Sequence, residues 1–303
     1  MRAVLFHNPD AGMKEYDKEN VLAALKLAGI KAHYVSTKGD GVKKALKKHA
    51  DLFIVAGGDG TIGKILTQMP DRTIPVAILP LGTANNIARS LGIAGTPHEL
   101  AESWHLEHAR KLDVGTANGA WGNPRFIEAF GLGLVPRMID AGDGGKEAMG
   151  ANNLRNGRRA LRKVVKHAKP FDADIRIDGK PLKLKLLGLE VLNIAYTGPG
   201  LPLAGAADAG DGLLDVVCFE AGQRDKLMDW IDAPHRSPPP VTCVQGCKID
   251  IEWRDAPARV DDEFLDATKK AQQAEIVCSA HAARILMPVV HPAAHAGKAR
   301  PVS

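Results

Sequence analysis

At 303 residues the chain is too long for one ordinary core, so two domains are the natural expectation. Hydrophobic and charged shares of 45% and 25% are those of a soluble globular protein, and the 5% aromatic share argues against a nucleic-acid binder that stacks bases. The net charge of +5, from 40 basic and 35 acidic residues, is modest, so the placement of the basic residues carries more than their sum.

The first third alternates strand-length apolar runs with amphipathic helical stretches, the pattern of βαβ units on a parallel sheet. Residues 3–6 read as a strand rather than as part of a signal peptide. Residues 16–28 follow as a helix ended by Gly29, then a strand at 31–35 and a short basic helix at 41–49. The continuous apolar run 52–56 predicts a central strand buried on both faces. It leads into Gly57-Gly58-Asp59-Gly60-Thr61 and a helix over 62–69. A strand at 75–79 precedes Pro80-Leu81-Gly82-Thr83-Ala84-Asn85-Asn86 and a helix through Leu91. Two phosphate-sized turns therefore stand at the carboxyl ends of neighbouring strands, where open α/β sheets bind ligands.

After about Leu112 the pattern changes to strand-like segments at 111–117, 125–130, 173–177, 182–195, 214–219, 248–253 and 275–278. These predict an antiparallel β-rich unit, a sandwich or irregular barrel. Residues 148–169 interrupt it as an amphipathic helix, with Leu154, Leu161, Val164, Val165 and Ala168 on one face and Arg158, Arg159, Arg162, Lys163 and Lys166 around it. A second helix is predicted at 223–231, and the tail from Pro288 is rich in Pro, Ala and His. Cys218, Cys243, Cys247 and Cys278 lack metal-ligand spacing and read as reduced thiols packed in strands. No apolar run approaches the ~20 residues a membrane span needs, which makes a cytoplasmic protein the expectation.

Three glycines between a buried strand and a helix let the backbone approach a phosphate, while the helix start supplies free N–H groups and the positive end of a dipole. An aspartate inside such a loop is odd for anion binding alone. It makes sense if Asp59 orients a metal or a hydrogen-bond network around a transferred phosphoryl group. Thr83 and Asn85 offer polar groups at the next helix start. The acids Asp208, Asp211 and Asp215 among glycines repel one another unless a cation or basic groups neutralise them; an exposed acidic turn is the plainer alternative.

Asn8-Pro9-Asp10-Ala11-Gly12, Gly57-Gly58-Asp59-Gly60-Thr61, Pro80 to Asn86 and Asp211-Gly212-Leu213-Leu214-Asp215-Val216, in that order, resemble the diacylglycerol kinase catalytic family. That family includes bacterial soluble lipid kinases and the sphingosine and ceramide kinases. The resemblance implies an α/β fold: a phosphofructokinase-like nucleotide-binding domain over 1–112, completed by part of 287–303, and an antiparallel β-sandwich-like lipid-substrate domain over 113–286. It implies ATP held by Asn8, Pro9, Asp10, Ala11, Gly12, Thr37, Gly57, Gly58, Asp59, Gly60, Thr61, Ile62, Gly63, Gly82, Thr83 and Asn85. It further implies Mg2+ at Asp208, Asp211 and Leu213. Val260-Asp261-Asp262-Glu263-Phe264 lies where the family carries an Asp-Gly-Glu motif, so the catalytic base is Glu263 or Asp261, acting with Asp59.

The departures are Asp262 at the central glycine of that motif, Gly63-Lys64 after the glycine-rich loop, and Ala84 and Asn86 in the second loop. They bear on acceptor choice more than on phosphoryl transfer. The implied activity is transfer of the γ-phosphoryl group of ATP to the hydroxyl of diacylglycerol, ceramide or a related lipid. A protein doing this meets its substrate at a membrane surface, with the basic helix at 155–169 as the contact. The partners are then ATP and the lipid, with no nucleic acid, and a homodimer is an admissible assembly. An NAD kinase shares the Gly-Gly-Asp-Gly-Thr loop, and a binding module without a base is the non-enzymatic alternative.

Overall fold

A computed structural model describes residues 2–12, 16–140, 153–265 and 271–289. The first unit opens with β1 (Ala3–His7), α1 (Lys18–Leu27), β2 (Ala32–Ser36), α2 (Gly41–Ala45), β3 (Leu52–Gly57), α3 (Asp59–Gln68), β4 (Val76–Pro80), α4 (Asn86–Ser90) and α5 (Pro97–Glu102). The strands lie parallel in the order β2-β1-β3-β4. β1 and β3 are central and buried along their whole length, which is why their sequences are unbroken apolar runs. Asp17 caps α1 by accepting from Asn20 N, and Thr96 with Glu99 forms a capping box on α5.

The β-rich unit comprises β5 (Trp104–Gly119), β6 (Arg125–Phe126), β7 (Ala129–Leu132), α6 (Leu134–Asp140), α7 (Asn153–His167), β8 (Phe171–Ile177), β9 (Lys180–Leu182), β10 (Lys185–Leu192), β11 (Tyr196–Thr197) and β12 (Leu201–Pro202). It continues with β13 (Leu214–Glu220), α8 (Arg224–Asp232), β14 (Thr242–Gly246), β15 (Lys248–Trp253), β16 (Ala258–Val260), β17 (Glu263–Leu265) and β18 (Gln272–Pro288). One apolar core lies between a layer holding Ile175, Ile249, Ile251 and Ile276 and a layer holding Phe130, Leu132, Leu189 and Val191. The outer face of β10 and β13 is covered by α6, α7 and α8 through Leu134, Leu161, Val165 and Trp230. β10 is therefore buried on both faces, and its residues 186–192 are apolar apart from Gly188 and Glu190.

The long strands β5 and β18 pair antiparallel and run through both units. β18 also lies parallel to β4, joining Ile285 to Val76 in register. Ala283, Ile285 and Leu286 pack into the core of the first unit. The part of 287–303 expected to complete that unit falls, beyond Val289, outside the described residues, as do positions 148–152 of the expected basic helix.

Three expectations change. α3 begins at Asp59, so only Gly58 is loop and Asp59, Gly60 and Thr61 form the first helical turn. Residues 261–262 are the turn of a hairpin between β16 and β17, with Asp261 at φ 46°. Of the cysteines, Cys218 is buried as predicted, but Cys243 and Cys247 are exposed.

Candidate active site

The two turns at the ends of β3 and β4 touch. A Cβ on Gly82 would collide with Gly58 Cα, so both must lack side chains for the loops to meet. Asn85, in the left-handed region at φ 48°, holds the second turn together. Its Nδ2 donates to Pro80 O (3.0 Å) and Gly82 O (2.8 Å), while its Oδ1 accepts from Gly82 N (2.9 Å). That amide is spent on the loop itself, which makes Asn85 a scaffold residue. Asn8 Nδ2 donates to Thr61 Oγ1 (3.3 Å) and Asn8 Oδ1 accepts from Asp10 N (3.2 Å), tying the loop after β1 to the first turn of α3. Asp10 pairs with Lys38, and Thr37 N donates to His7 O (2.9 Å), so the loop after β2 joins the same rim. Thr83 is exposed and Ile62 is fully buried, so the Ile62 side chain belongs to the core and can offer a ligand nothing. The N–H groups of Asp59 and Gly60, at the start of a helix, have no helical carbonyl to bond.

The hairpin turn 261–262 is seated on α3. Asp262 Oδ2 would stand 2.6 Å from a Cβ on Gly60, and Asp261 Oδ2 3.3 Å from one on Gly63. These two glycines thus admit the acidic turn from the other unit. Asp261 is anchored: its carboxylate accepts from Ile127 N (3.0 Å), Glu128 N (2.8 Å) and Ala129 N (3.0 Å). Glu263 is exposed at the start of β17.

Behind the turn lies a buried charge network that the sequence reading missed. Glu128 Oε1 accepts from Thr197 Oγ1 (2.7 Å) and Gly198 N (3.0 Å), and its Oε2 accepts from Asn86 Nδ2 (3.1 Å). Arg259, 1% exposed, donates to Glu190 Oε2 (2.5 Å), Thr197 Oγ1 (2.8 Å) and the main-chain oxygen of Asp261 (2.6 Å). Asp59 Oδ1 accepts from Ile87 N (2.9 Å), across to α4. The signal was present: Glu128 and Glu190 each interrupt an otherwise apolar run, and a buried acid needs a buried partner.

Burial first, and then crowding of acids, sets their protonation. Burial, then Glu128 and Asp262, push the Asp59 carboxyl up to about 7. Burial and the Glu128 charge push Asp261 up to about 7 against its three N–H donors. Burial raises Glu190 to about 7 although Arg259 opposes it. Burial also works against the charge of Arg259, but Glu190, Glu128, Asp261 and Asp262 outweigh it and hold its pKa above the ordinary value. Carboxyls near 7 can give or take protons at neutral pH.

The acids expected to hold magnesium are engaged otherwise. Asp208 pairs with Arg110 and its Oδ1 accepts from Gly210 N (3.0 Å), while Asp211 Oδ1 accepts from Leu213 N (2.9 Å). Asp113, fully buried, accepts from Gly212 N (2.6 Å) and His281 N (2.5 Å). Among the described residues no three Asp, Glu, His or Cys side chains converge as a metal cradle. Asp208 and Asp211 each commit Oδ1 to a main-chain N–H of the turn, so a cation here would have to use the other Asp211 oxygen and main-chain oxygens such as those of Asp208 and Leu213.

Comparison with known proteins decides the family. A family model for the diacylglycerol kinase catalytic domain matches residues 2–117, and one for the YegS C-terminal NAD kinase beta sandwich-like domain matches residues 146–281. A Pseudomonas aeruginosa protein named "Probable lipid kinase YegS-like" is 30% identical over 230 residues, covering 73% of this chain and 72% of that one. The chain belongs to the diacylglycerol kinase family. A Bacillus subtilis relative named "Diacylglycerol kinase" is 28% identical over 72% of this chain and 74% of its own. The crystal structure of a diacylglycerol kinase from Bacillus anthracis covers 96% of this chain and 97% of its own at a TM-score of 0.69 and 22% identity, which shows the shared fold. An NAD kinase from Archaeoglobus fulgidus, solved in complex with ATP, has the fold more distantly, with a TM-score of 0.52 at 15% identity over 95% of this chain and 94% of its own. The turn 261–262 lies in the second matched range and seats on α3 in the first, while Glu128 lies between the two ranges.

Proposed function

We propose that the chain is an ATP-dependent lipid kinase that transfers the γ-phosphoryl group to a lipid hydroxyl such as that of diacylglycerol or ceramide. One observation carries the reading: an acidic turn from the β-rich unit sits on the first turn of α3, beside backbone N–H groups free to bind phosphate. Kinase names among the relatives support it.

The nucleotide lies against the rim made by residues 8–12, Thr37, residues 57–61 and Thr83, its phosphates toward the N–H groups of Asp59 and Gly60. Magnesium enters with the nucleotide as the MgATP substrate and supplies charge neutralisation there. The lipid oxygen attacks the γ-phosphorus, an O–P bond forms, and the bond to the β-bridging oxygen breaks to leave ADP. The hydroxyl proton passes to a carboxylate of the turn 261–263. Asp261 has three N–H bonds to keep and anchors the turn. Glu263, exposed, is the acid free to take the proton.

Among the described residues no helix is long and apolar enough to cross a membrane. The reading has a cytoplasmic protein docking peripherally, through the exposed Arg155, Arg159 and Lys166 of α7, on an anionic surface. Co-sedimentation with anionic vesicles, weakened when these three become Gln, is the expected result.

The deciding experiment incubates purified protein and MgATP with diacylglycerol and ceramide in mixed micelles, and separately with NAD. Label in a lipid product is expected. Label in NAD alone would replace the reading with a nucleotide kinase, and nucleotide binding with no product on any acceptor would leave a binding module.

A further inference from the structure

Two guanidinium groups meet beside the network with no acid between them. Arg89, on α4 three residues beyond Asn86, lies over the Tyr196 ring, its central carbon 4.4 Å from the ring centroid. Arg158, on α7, donates from Nε to Pro199 O (3.3 Å) and from Nη2 to Gly200 O (3.4 Å). Both reach Gly200, where a Cβ would stand 2.7 Å from Arg89 Nη1. The glycine, at φ 68°, is what lets two cations close on one stretch of backbone. Among the described residues neither arginine has a carboxylate within ion-pair distance.

Packing does not explain the pair. Tyr196 could be covered by an aliphatic side chain, and like charges this close repel by several tenths to a few kcal/mol at the effective dielectric of a protein surface. Burial and then the Arg89 charge lower the Arg158 pKa, and His235 is lowered by burial, Arg158 and Arg89 in turn. The two guanidiniums thus share one field. Guanidiniums in such an array match the oxygens of a phosphate, two N–H bonds at a time.

The position is informative. The loop carrying Tyr196 and Gly200 gives its other side to the site: Thr197 Oγ1 and Gly198 N donate to Glu128, and Gly198 O accepts from Asn86 (3.0 Å). Arg89 is one helical turn, about 5 Å of rise, from Asn86. An oxyanion held there is next to the reacting groups but outside the carboxylate cluster.

We propose that Arg89 and Arg158 form an anion subsite, separate from the glycine-rich turn, for a phosphate-class oxyanion carried by a substrate. It rests on the kinase reading above. The oxyanion is either a phosphodiester on the acceptor's headgroup or a phosphate of the nucleotide.

Initial rates with MgATP are measured on diacylglycerol and on phosphatidylglycerol, a lipid with both a phosphodiester and a free hydroxyl, for the parent, Arg89→Gln and Arg158→Gln. A headgroup source raises the KM for phosphatidylglycerol at least tenfold in both variants, leaving the KM for ATP within twofold. A nucleotide source raises the KM for ATP on either lipid instead. Parent-like constants for all substrates in variants of unchanged melting temperature overturn the subsite. Calorimetric titration with sn-glycero-3-phosphoglycerol and with ADP separates this from failure of the kinase reading. If no lipid is turned over yet either probe binds the parent at least tenfold more tightly than both variants, the kinase reading falls and the subsite stands. Equal binding overturns the subsite.

Discussion

Asp59 sits in the first turn of a helix, where the dipole favours an anion, yet burial beside Glu128 pushes its carboxyl up to about 7. Desolvation outweighs the helix end. Because the folded pKa lies above the ordinary 3.8, the folded state binds the extra proton from about pH 4 upward, and the stability this gives is lost as pH rises through about 7. Asp261 and Glu190, also near 7, add to the same slope. Denaturant unfolding should therefore show stability falling between about pH 4 and about pH 7, and Asp59→Asn should reduce the slope by up to ~1.4 kcal/mol per pH unit. A parent whose stability is flat over that range would show the cluster to be hydrated and ordinary. Arg259 makes the opposite case. Arg259→Met leaves Glu190 and Glu128 without their cation, and a loss of about 3–5 kcal/mol is expected by urea titration at neutral pH. The loss should shrink at lower pH, where the orphaned acids are protonated.

At the scale of elements, the two turns work because their glycines touch. In Gly82→Ala the new Cβ meets Gly58 backbone, which cannot swing aside as a side chain would. The loops should part, lowering stability by about 1–3 kcal/mol and weakening ATP binding at least tenfold in a calorimetric titration. Gly39→Ala is the control, since nothing lies within 4 Å of its Cβ. Strands β1, β3 and β4 were legible because central parallel strands must be apolar throughout, and β15 coincides with its predicted span. The start of α3 was not, because glycine reads as loop while Asp59 in the first turn accepts from Asn86 and Ile87 N–H groups of α4, a tertiary effect. The hairpin of β16 and β17 escaped notice because three-residue strands flanking two aspartates carry no alternation. The sequence singles out the motif residues but not the partners packed behind them: Glu128 meets Asn86, and Arg259 meets Glu190, only once the sheet brings distant segments together.

At the scale of the molecule, the β5–β18 ladder makes one body of two cores. The ladder is fastened where it crosses between them. Asp113, buried in β5, accepts from His281 N in β18 and from Gly212 N in the acidic turn, and Arg72 donates to Ala282 O (2.9 Å). Cutting Asp113 back to Ala leaves the part-buried N–H groups of Gly212 and His281 without their acceptor, which should lower stability by about 1–3 kcal/mol. The variant should still unfold in one step, because the ladder's main-chain bonds remain. Trp104 packs on the first core while Trp121 and Trp253 belong to the second, so tryptophan fluorescence of single-tryptophan chains reports on each separately. Coincident midpoints for the two reporters, both shifted down in Asp113→Ala, are expected. Separate transitions in the parent would mean that the cores fold independently. The seat of the acidic turn on α3, on which phosphoryl transfer depends, would then be a docking contact between two bodies instead of part of one continuous fold.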